Sequence, residues 1–281
     1  MALDRRSAIV TGAAGGIGAA IAQRMLEEGL NVVVTDIEER RLDEVAAGLR
    51  TQYPNRVIAF AADANRDDHI GSVIDGASAA FGFPDVYIAN AGVLNGFGLE
   101  TDEASWDTAW AVNVMSHVRA ARRLVPRWLE ASAGGCFVST ASAAGLLTQL
   151  GSPVYSATKH ATVAFAEWLA ATYGDRGIQV CCLCPMGVRT SMLEEPADAG
   201  GDVSLGLAAI SHAGEVVTPL SVADALIDAL QSQRFLALPH TEVAAMYANK
   251  AADPDRWLAG MHRYRRTLDN EATEHTDAFG R

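Results

Sequence analysis

Ala8-Ile9-Val10-Thr11-Gly12-Ala13-Ala14-Gly15-Gly16-Ile17-Gly18 runs from a short apolar segment, through a glycine-rich turn, into a stretch with helical periodicity. Ala8 to Thr11 is about the length of a buried parallel strand, and Gly16 to Glu28 carries apolar residues at i, i+3 and i+4 before Gly29 offers a stop. Glycines at such a junction permit a tight turn and let the backbone approach a pyrophosphate. The amide N–H groups and the positive end of the helix then meet its charge. A first strand-turn-helix unit of this kind predicts a dinucleotide site at Gly12, Gly15, Gly16, Ile17 and Gly18.

The alternation continues outward from that unit. Val32 to Thr35, Val57 to Phe60, Val86 to Ala89, Cys136 to Ser139 and Gln179 to Cys184 read as further strands. Glu38 to Leu49, Asp67 to Ala80, Glu103 to Glu130 and Val154 to Tyr173 read as helices between them, with Gly82 and Gly174 as stops. This is the β-α-β rhythm of a Rossmann-type, doubly wound parallel sheet of about seven strands, with helices on both faces. No linker, repeat or low-complexity tract divides the chain. One domain over residues 1–240 is expected, followed by a helical tail over 241–281 whose polar end, Glu271 to Arg281, is expected to be disordered.

Composition narrows the function classes. The formal charge of -12 over 281 residues argues against nucleic acid as a partner, because phosphate contacts need clustered Lys and Arg. No stretch approaches eighteen consecutive apolar residues and no basic-then-apolar leader opens the chain, so no membrane contact is expected and a cytoplasmic location follows by default. Cys181, Cys182 and Cys184 lie on one strand, where alternation sends Cys181 to the face opposite the other two. They read as small core residues, and no metal site is expected.

Chemistry enters with Tyr155 and Lys159, four residues apart in Tyr-Ser-Ala-Thr-Lys and so on one helix face. A neighbouring ammonium favours the phenolate, and moving a phenol from about 10 to roughly 7 takes on the order of 4 kcal/mol. Asp36, eighteen residues beyond Gly18 with Ile37 next to it, is placed to accept hydrogen bonds from ribose hydroxyls and to repel a 2′-phosphate. NAD is therefore the expected cofactor, although Arg40 and Arg41 lie close in sequence.

With these residues in hand, the chain resembles the short-chain dehydrogenase/reductase family up to about Leu238. Thr11 to Gly18 matches the family's T-G-x-x-x-G-x-G. Asp63, with Ala64 beside it, matches the acidic residue that holds the adenine ring, and Asn90-Ala91-Gly92 matches the segment that steadies the central sheet. Asn113, Ser142, Tyr155 and Lys159 match the catalytic tetrad in the family's order. Pro185-Met186-Gly187-Val188-Arg189-Thr190 matches P-G-x-V-x-T except at Met186, where a glycine is common. Val188 and Thr190 keep the positions that contact the nicotinamide carboxamide. A side chain at Met186 resists a positive φ and is expected to crowd or line the substrate pocket. The family's frequent ending is also missing. Arg234 to His240 instead reads as a seventh strand, which marks a variant C-terminal branch.

The resemblance implies an oxidoreductase that moves hydride between nicotinamide and a secondary alcohol or ketone. Tyr155 is the expected general acid/base and Lys159 both tunes it and binds the nicotinamide ribose. Ser142 is expected to donate to the alkoxide or carbonyl, and Asn113 to anchor a water relay. It also implies a homodimer or homotetramer through the helices of Glu103 to Glu130 and Val154 to Tyr173. The apolar residues Leu94, Phe97, Leu146, Leu147, Leu150, Val154, Met186 and Met192 point to a lipophilic substrate, with Gln149 a possible polar handle. Thr190 to Val216 reads as a long acidic loop over the site, and His212 and His240 read as surface or capping histidines. Two alternatives stand beside this reading: an NADP-dependent 3-oxoacyl reductase, and a non-catalytic dinucleotide-sensing protein.

Overall fold

The computed structural model describes residues 6–190, 201–212 and 214–279. A seven-stranded parallel sheet forms the middle layer: β1 (Ser7–Thr11), β2 (Asn31–Asp36), β3 (Val57–Ala61), β4 (Val86–Ala89), β5 (Gly135–Thr140), β6 (Ile178–Leu183) and β7 (Leu236–Ala237). Their spatial order, β3-β2-β1-β4-β5-β6-β7, reverses direction between β1 and β4. Ligands of open parallel sheets sit at such a switch point, beyond the carboxyl ends of the strands. Register places Thr11 beside Thr35 and Ala89 beside Ser139, so the loops carrying the glycines, Asn90 and Ser142 leave the sheet at one end.

Strand side chains alternate between two apolar layers because both faces are covered. Ala8, Val10, Val32, Val34, Ile88, Val138 and Cys181 face a layer shared with α1 (Gly16–Glu27) and α2 (Glu39–Gln52). Ile9, Val33, Tyr87, Phe137, Cys182 and Cys184 face the opposite one, against α3 (Asp67–Phe81), α5 (Ser116–Glu130) and α7 (Pro153–Tyr173). Trp128 anchors that second layer. Its indole N–H donates to the Pro84 carbonyl at 2.8 Å, and the missing side chain of Gly135 leaves room for its ring. All four cysteines are buried thiols, and Cys182 and Cys184 share a face with their sulfurs 3.7 Å apart.

Several elements depart from the sequence expectation. Glu103 to Glu130 is α4 (Glu103–Trp110), a π-turn over Ala111–Met115, and α5, continuous in direction. The stretch from Thr190 is not all loop: α8 (Gly201–His212) packs against Gly98 and Gly151, whereas 191–200, with Met192, Glu194, Glu195 and Asp198, lie outside the described residues. A short α6 (Ala144–Leu147) and a full α9 (Pro219–Gln231), capped by the Thr218 hydroxyl, are additions. The tail forms α10 (Glu242–Ala252) and α11 (Pro254–Phe279). No helix among the described residues is long and apolar enough to cross a membrane.

Candidate active site

The glycine turn is built by exclusion. Gly12 has φ +64°, and a Cβ there would stand 2.8 Å from the Ala91 backbone; at Gly18 one would stand 2.1 Å from the Gly12 carbonyl oxygen and is not tolerated. Gly15 differs, since a Cβ would meet nothing within 4 Å. It borders open space directly before the first turn of α1, where the free amide N–H groups of the helix end collect, so the cradle fits a pyrophosphate. Asn90 ties this turn to the sheet: its amide donates to the Thr11 and Gly12 carbonyls at 2.9 and 3.2 Å. The Thr11 hydroxyl in turn accepts from the Asn90 and Ala91 N–H groups.

Asp36 closes the far end of the same cavity. One carboxylate oxygen accepts from the Ala14 N–H at 2.9 Å and the other from the Glu38 N–H at 3.1 Å, which aims the group while leaving lone pairs for ribose hydroxyls. Arg41 lines the cavity as well, whereas Arg40 pairs with Glu44 at the surface. Ile37, Asp63 and Ala64 line an adjoining pocket that Asp36 also borders. Asp63 is fixed by accepting the Asn65 N–H at 2.8 Å.

Ser142, Tyr155 and Lys159 meet on the opposite wall. Ser152 caps α7 by accepting the Tyr155 N–H, and Pro153 fits the first helical position, so Tyr155 enters the first turn and Lys159 the next on the same face. Gly145 lets α6 pack onto the Lys159 backbone, where a Cβ would come within 2.5 Å of the Lys159 carbonyl oxygen. Burial raises the Tyr155 phenol above its ordinary value, with the Ser142 hydroxyl acting in the opposite sense. Burial also pushes the Lys159 ammonium down to about 8, slightly offset by the Cys182 and Cys184 thiols. Its Nζ donates to the Thr140 carbonyl at 3.0 Å and sits 5.6 Å from the Tyr155 ring centroid, over the ring face.

Asn113 lies in the π-turn, fully buried. Its Oδ1 accepts the Val93 N–H at 2.8 Å, and its Nδ2 donates to the Val93 carbonyl and the Thr158 hydroxyl. The side chain thus clamps the segment after Gly92, and Gly92 itself separates Asn113 from Lys159: a Cβ there would lie 3.2 Å from both polar ends. The Asn113 carbonyl accepts from the Thr162 hydroxyl at 2.7 Å.

The substrate end is mixed. Leu94, Leu147, Thr148, Gln149 and Met186 line the cavity of about 610 Å³ that also holds the glycine turn. Leu146 does not: adjacent positions on α6 diverge by about 100°, and Leu146 points into the core, 2% exposed. Gln149 is partly engaged, its amide donating to the Gly206 carbonyl of α8 at 3.0 Å. Phe97 packs beside Gly206 rather than on the cavity wall. Met186 is not strained, since it is absent from the positive-φ residues, and its side chain lies over Gly214.

Three features had escaped the sequence reading. Thr148, on the cavity wall, holds φ 89°, which non-glycine residues rarely adopt. His117 is fully buried, bonded to Ser139 at 3.1 Å and pushed down to about 3 by burial and, second, by the charge of Lys159. His240 is 3% exposed and bonded on both ring nitrogens, not a surface or capping residue. No group of three or more His, Cys, Asp or Glu among the described residues has metal-holding geometry.

Comparison with known proteins agrees with this geometry. The family model for short chain dehydrogenase matches residues 6–199. A 1-deoxy-11-beta-hydroxypentalenate dehydrogenase from Streptomyces exfoliatus is 35% identical over 248 residues, 86% of each chain. A short chain dehydrogenase/reductase from Burkholderia phymatum, solved in complex with NAD, superposes with a TM-score of 0.81 at 27% identity, covering 91% of this chain and 96% of that one. L-sorbose reductase from Gluconobacter frateurii, solved with NADPH and L-sorbose, gives 0.74 at 26% identity over 85% and 95%. A glycine cradle at the sheet's switch point and an ordered Ser, Tyr and Lys in one cavity are thus joined by a family match over most of the chain, and the protein belongs to the short-chain dehydrogenase/reductase family of oxidoreductases.

Proposed function

We propose that the protein is an NAD-dependent dehydrogenase/reductase of a lipophilic secondary alcohol or ketone. One observation carries this reading: the Gly15 cradle, Asp36, Ser142, Tyr155 and Lys159 all border one continuous cavity, with Leu94, Leu147 and Met186 at its catalytic end. The glycine turn, Asp36 and Ile37, Asp63 and Ala64, Asn90 to Gly92, and Pro185, Gly187, Val188 and Thr190 would hold the dinucleotide, which supplies the hydride acceptor or donor. Tyr155 takes the hydroxyl proton during oxidation and returns it during reduction. Ser142 donates to the oxygen on which charge develops. Lys159 holds the ribose, and its positive charge, over the face of the Tyr155 ring, favours the phenolate. Asn113 anchors the water that connects Lys159 to solvent.

Residues 1–240 would form the catalytic unit and 241–281 a helical appendage, in a homodimer or homotetramer. Arg41 on the cavity wall is the observation that favours NADP, and with it the 3-oxoacyl reductase reading. The test is reduced-nicotinamide absorbance with NAD and a panel of aliphatic, aryl and steroid secondary alcohols. Turnover is expected with NAD, and Tyr155→Phe should remove it while NAD still binds. A preference for NADP would overturn the reading of Asp36. NAD binding without turnover of any panel member would favour the sensing protein.

A further inference from the structure

One peptide unit links the catalytic serine to the C-terminal segment. The Pro185 carbonyl accepts from the Ala143 N–H at 2.8 Å and from the Ser142 hydroxyl at 3.3 Å. The Ser142 oxygen itself accepts from the Ala144 N–H at 3.1 Å, and its hydroxyl is shared between the Pro185 carbonyl and the Tyr155 phenol. On the other edge of the same unit, the Met186 N–H donates to His240 Nδ1 at 3.2 Å. His240 Nε2 lies 2.9 Å from the Glu215 carbonyl, which can only accept. The ring is therefore neutral with its proton on Nε2, because Nδ1 must keep a lone pair for Met186. This histidine lies just after β7, fifty-four residues beyond Met186 in the chain.

We propose that His240 is a positioning residue for Ser142, acting through the Pro185–Met186 peptide. The proposal rests on the reading of Ser142 as the donor to the reacting oxygen. A peptide unit is rigid and planar, so fixing its N–H fixes the direction of the carbonyl on the opposite edge. The Met186 N–H is the one donor of this unit, and His240 holds it. With that handle released, the unit rotates, the Pro185 oxygen leaves the β5-α6 turn, and the Ser142 hydroxyl loses the acceptor that sets its rotamer. A side chain at 186 raises the need for such a hold, since Met186 also presses on Gly214 at the base of α8.

Two amide substitutions separate the two nitrogens. Asn at 240 places an acceptor near Nδ1 and keeps the Met186 bond, whereas Gln reaches toward Glu215 and loses it. For His240→Gln, kcat is expected to fall about 10- to 100-fold with substrate KM and cofactor Kd within about threefold. His240→Asn should restore kcat to within about threefold of wild type. Amide hydrogen exchange at Met186 should speed up in the Gln variant and remain slow in the Asn variant. In a Ser142→Ala background, His240→Gln should cost less than about twofold more, because both act through one hydroxyl. Equal losses in Asn and Gln that track the melting temperature, additivity with Ser142→Ala, or unchanged Met186 exchange in the Gln variant would each overturn the proposal. An inactive wild type would overturn the reading of the site and this proposal with it; an active wild type with a fully active Gln variant overturns the proposal alone.

Discussion

Lys159 is an ammonium held inside the protein at a cost, and Lys159→Met should make the fold more stable while removing activity. Its value lies at about 8 in the folded chain against 10.5 for the free side chain. The folded state therefore binds fewer protons than the unfolded state between those values, and stability gained from this group rises with pH across that window. Below pH 8 the full penalty stands: about 2.5 units at 1.36 kcal/mol each gives roughly 3 kcal/mol. Methionine matches the stem in length and shape but leaves the Thr140 carbonyl without its donor, which costs about 1 kcal/mol. A net gain of about 2 kcal/mol at pH 7 corresponds to roughly 4–8 °C in melting temperature for a chain of this size. Urea unfolding of both proteins at pH 7 and pH 10 checks this. The contribution of Lys159 shrinks to below about 1 kcal/mol at pH 10. A variant no more stable than wild type at pH 7, or a gap that does not change with pH, would refute the reasoning.

Other substitutions probe the remaining parts of the site and its support. Gly15→Val fills the cradle without touching the protein, so cofactor affinity measured by nicotinamide fluorescence should fall at least about 100-fold with melting temperature unchanged. Asp36→Ala removes the carboxylate beside Arg41, and the ratio of NADP to NAD affinity should rise at least about tenfold by titration of both cofactors. Thr148→Gly relieves a backbone at φ 89° and should stabilise the fold by about 1 kcal/mol in chemical denaturation. Gly135→Ala drives a Cβ to 2.1 Å from the Trp128 ring and should destabilise it by about 1–3 kcal/mol in the same assay.

The strands were legible because each is a short apolar run buried on both faces, and the site residues because their chemistry demands a type at a spacing: glycines before α1, a carboxylate after β2, Tyr155 and Lys159 one turn apart. What escaped depends on contacts remote in sequence. The π-turn around Asn113 adds a residue to a helix whose apolar pattern reads through it unbroken. The helix at 201–212 follows paired glycines and carries an acid, features of a loop. It holds its place by packing against Gly98 and Gly151, where side chains would strike Asp202 and Gly206, and by accepting the Tyr264 hydroxyl at the Ala209 carbonyl, 2.9 Å away. Leu146 and Leu147 are alike as letters, and only the direction of a four-residue helix separates core from cavity wall. His240 stands beside a proline at a strand end, as many capping residues do. Its partners at 186 and 215 are distant in the chain, and no local pattern announces them.

The buried thiols of Cys181, Cys182 and Cys184 give the molecule a reporter of its own opening. Cys181 sits on one side of the β6 strand line and the other two on the reverse, so the three sample both apolar layers one strand in from the β7 edge. Burial raises the Cys181 thiol well above its ordinary value, and the Cys184 sulfur together with burial does the same for Cys182, which silences both toward alkylating reagents while the sheet is closed. Their labelling rate in native buffer therefore counts excursions in which β6 leaves the sheet. Compared between the ligand-free and cofactor-loaded protein, that rate gives the free energy by which an occupied site at the strand ends holds β6 in the sheet.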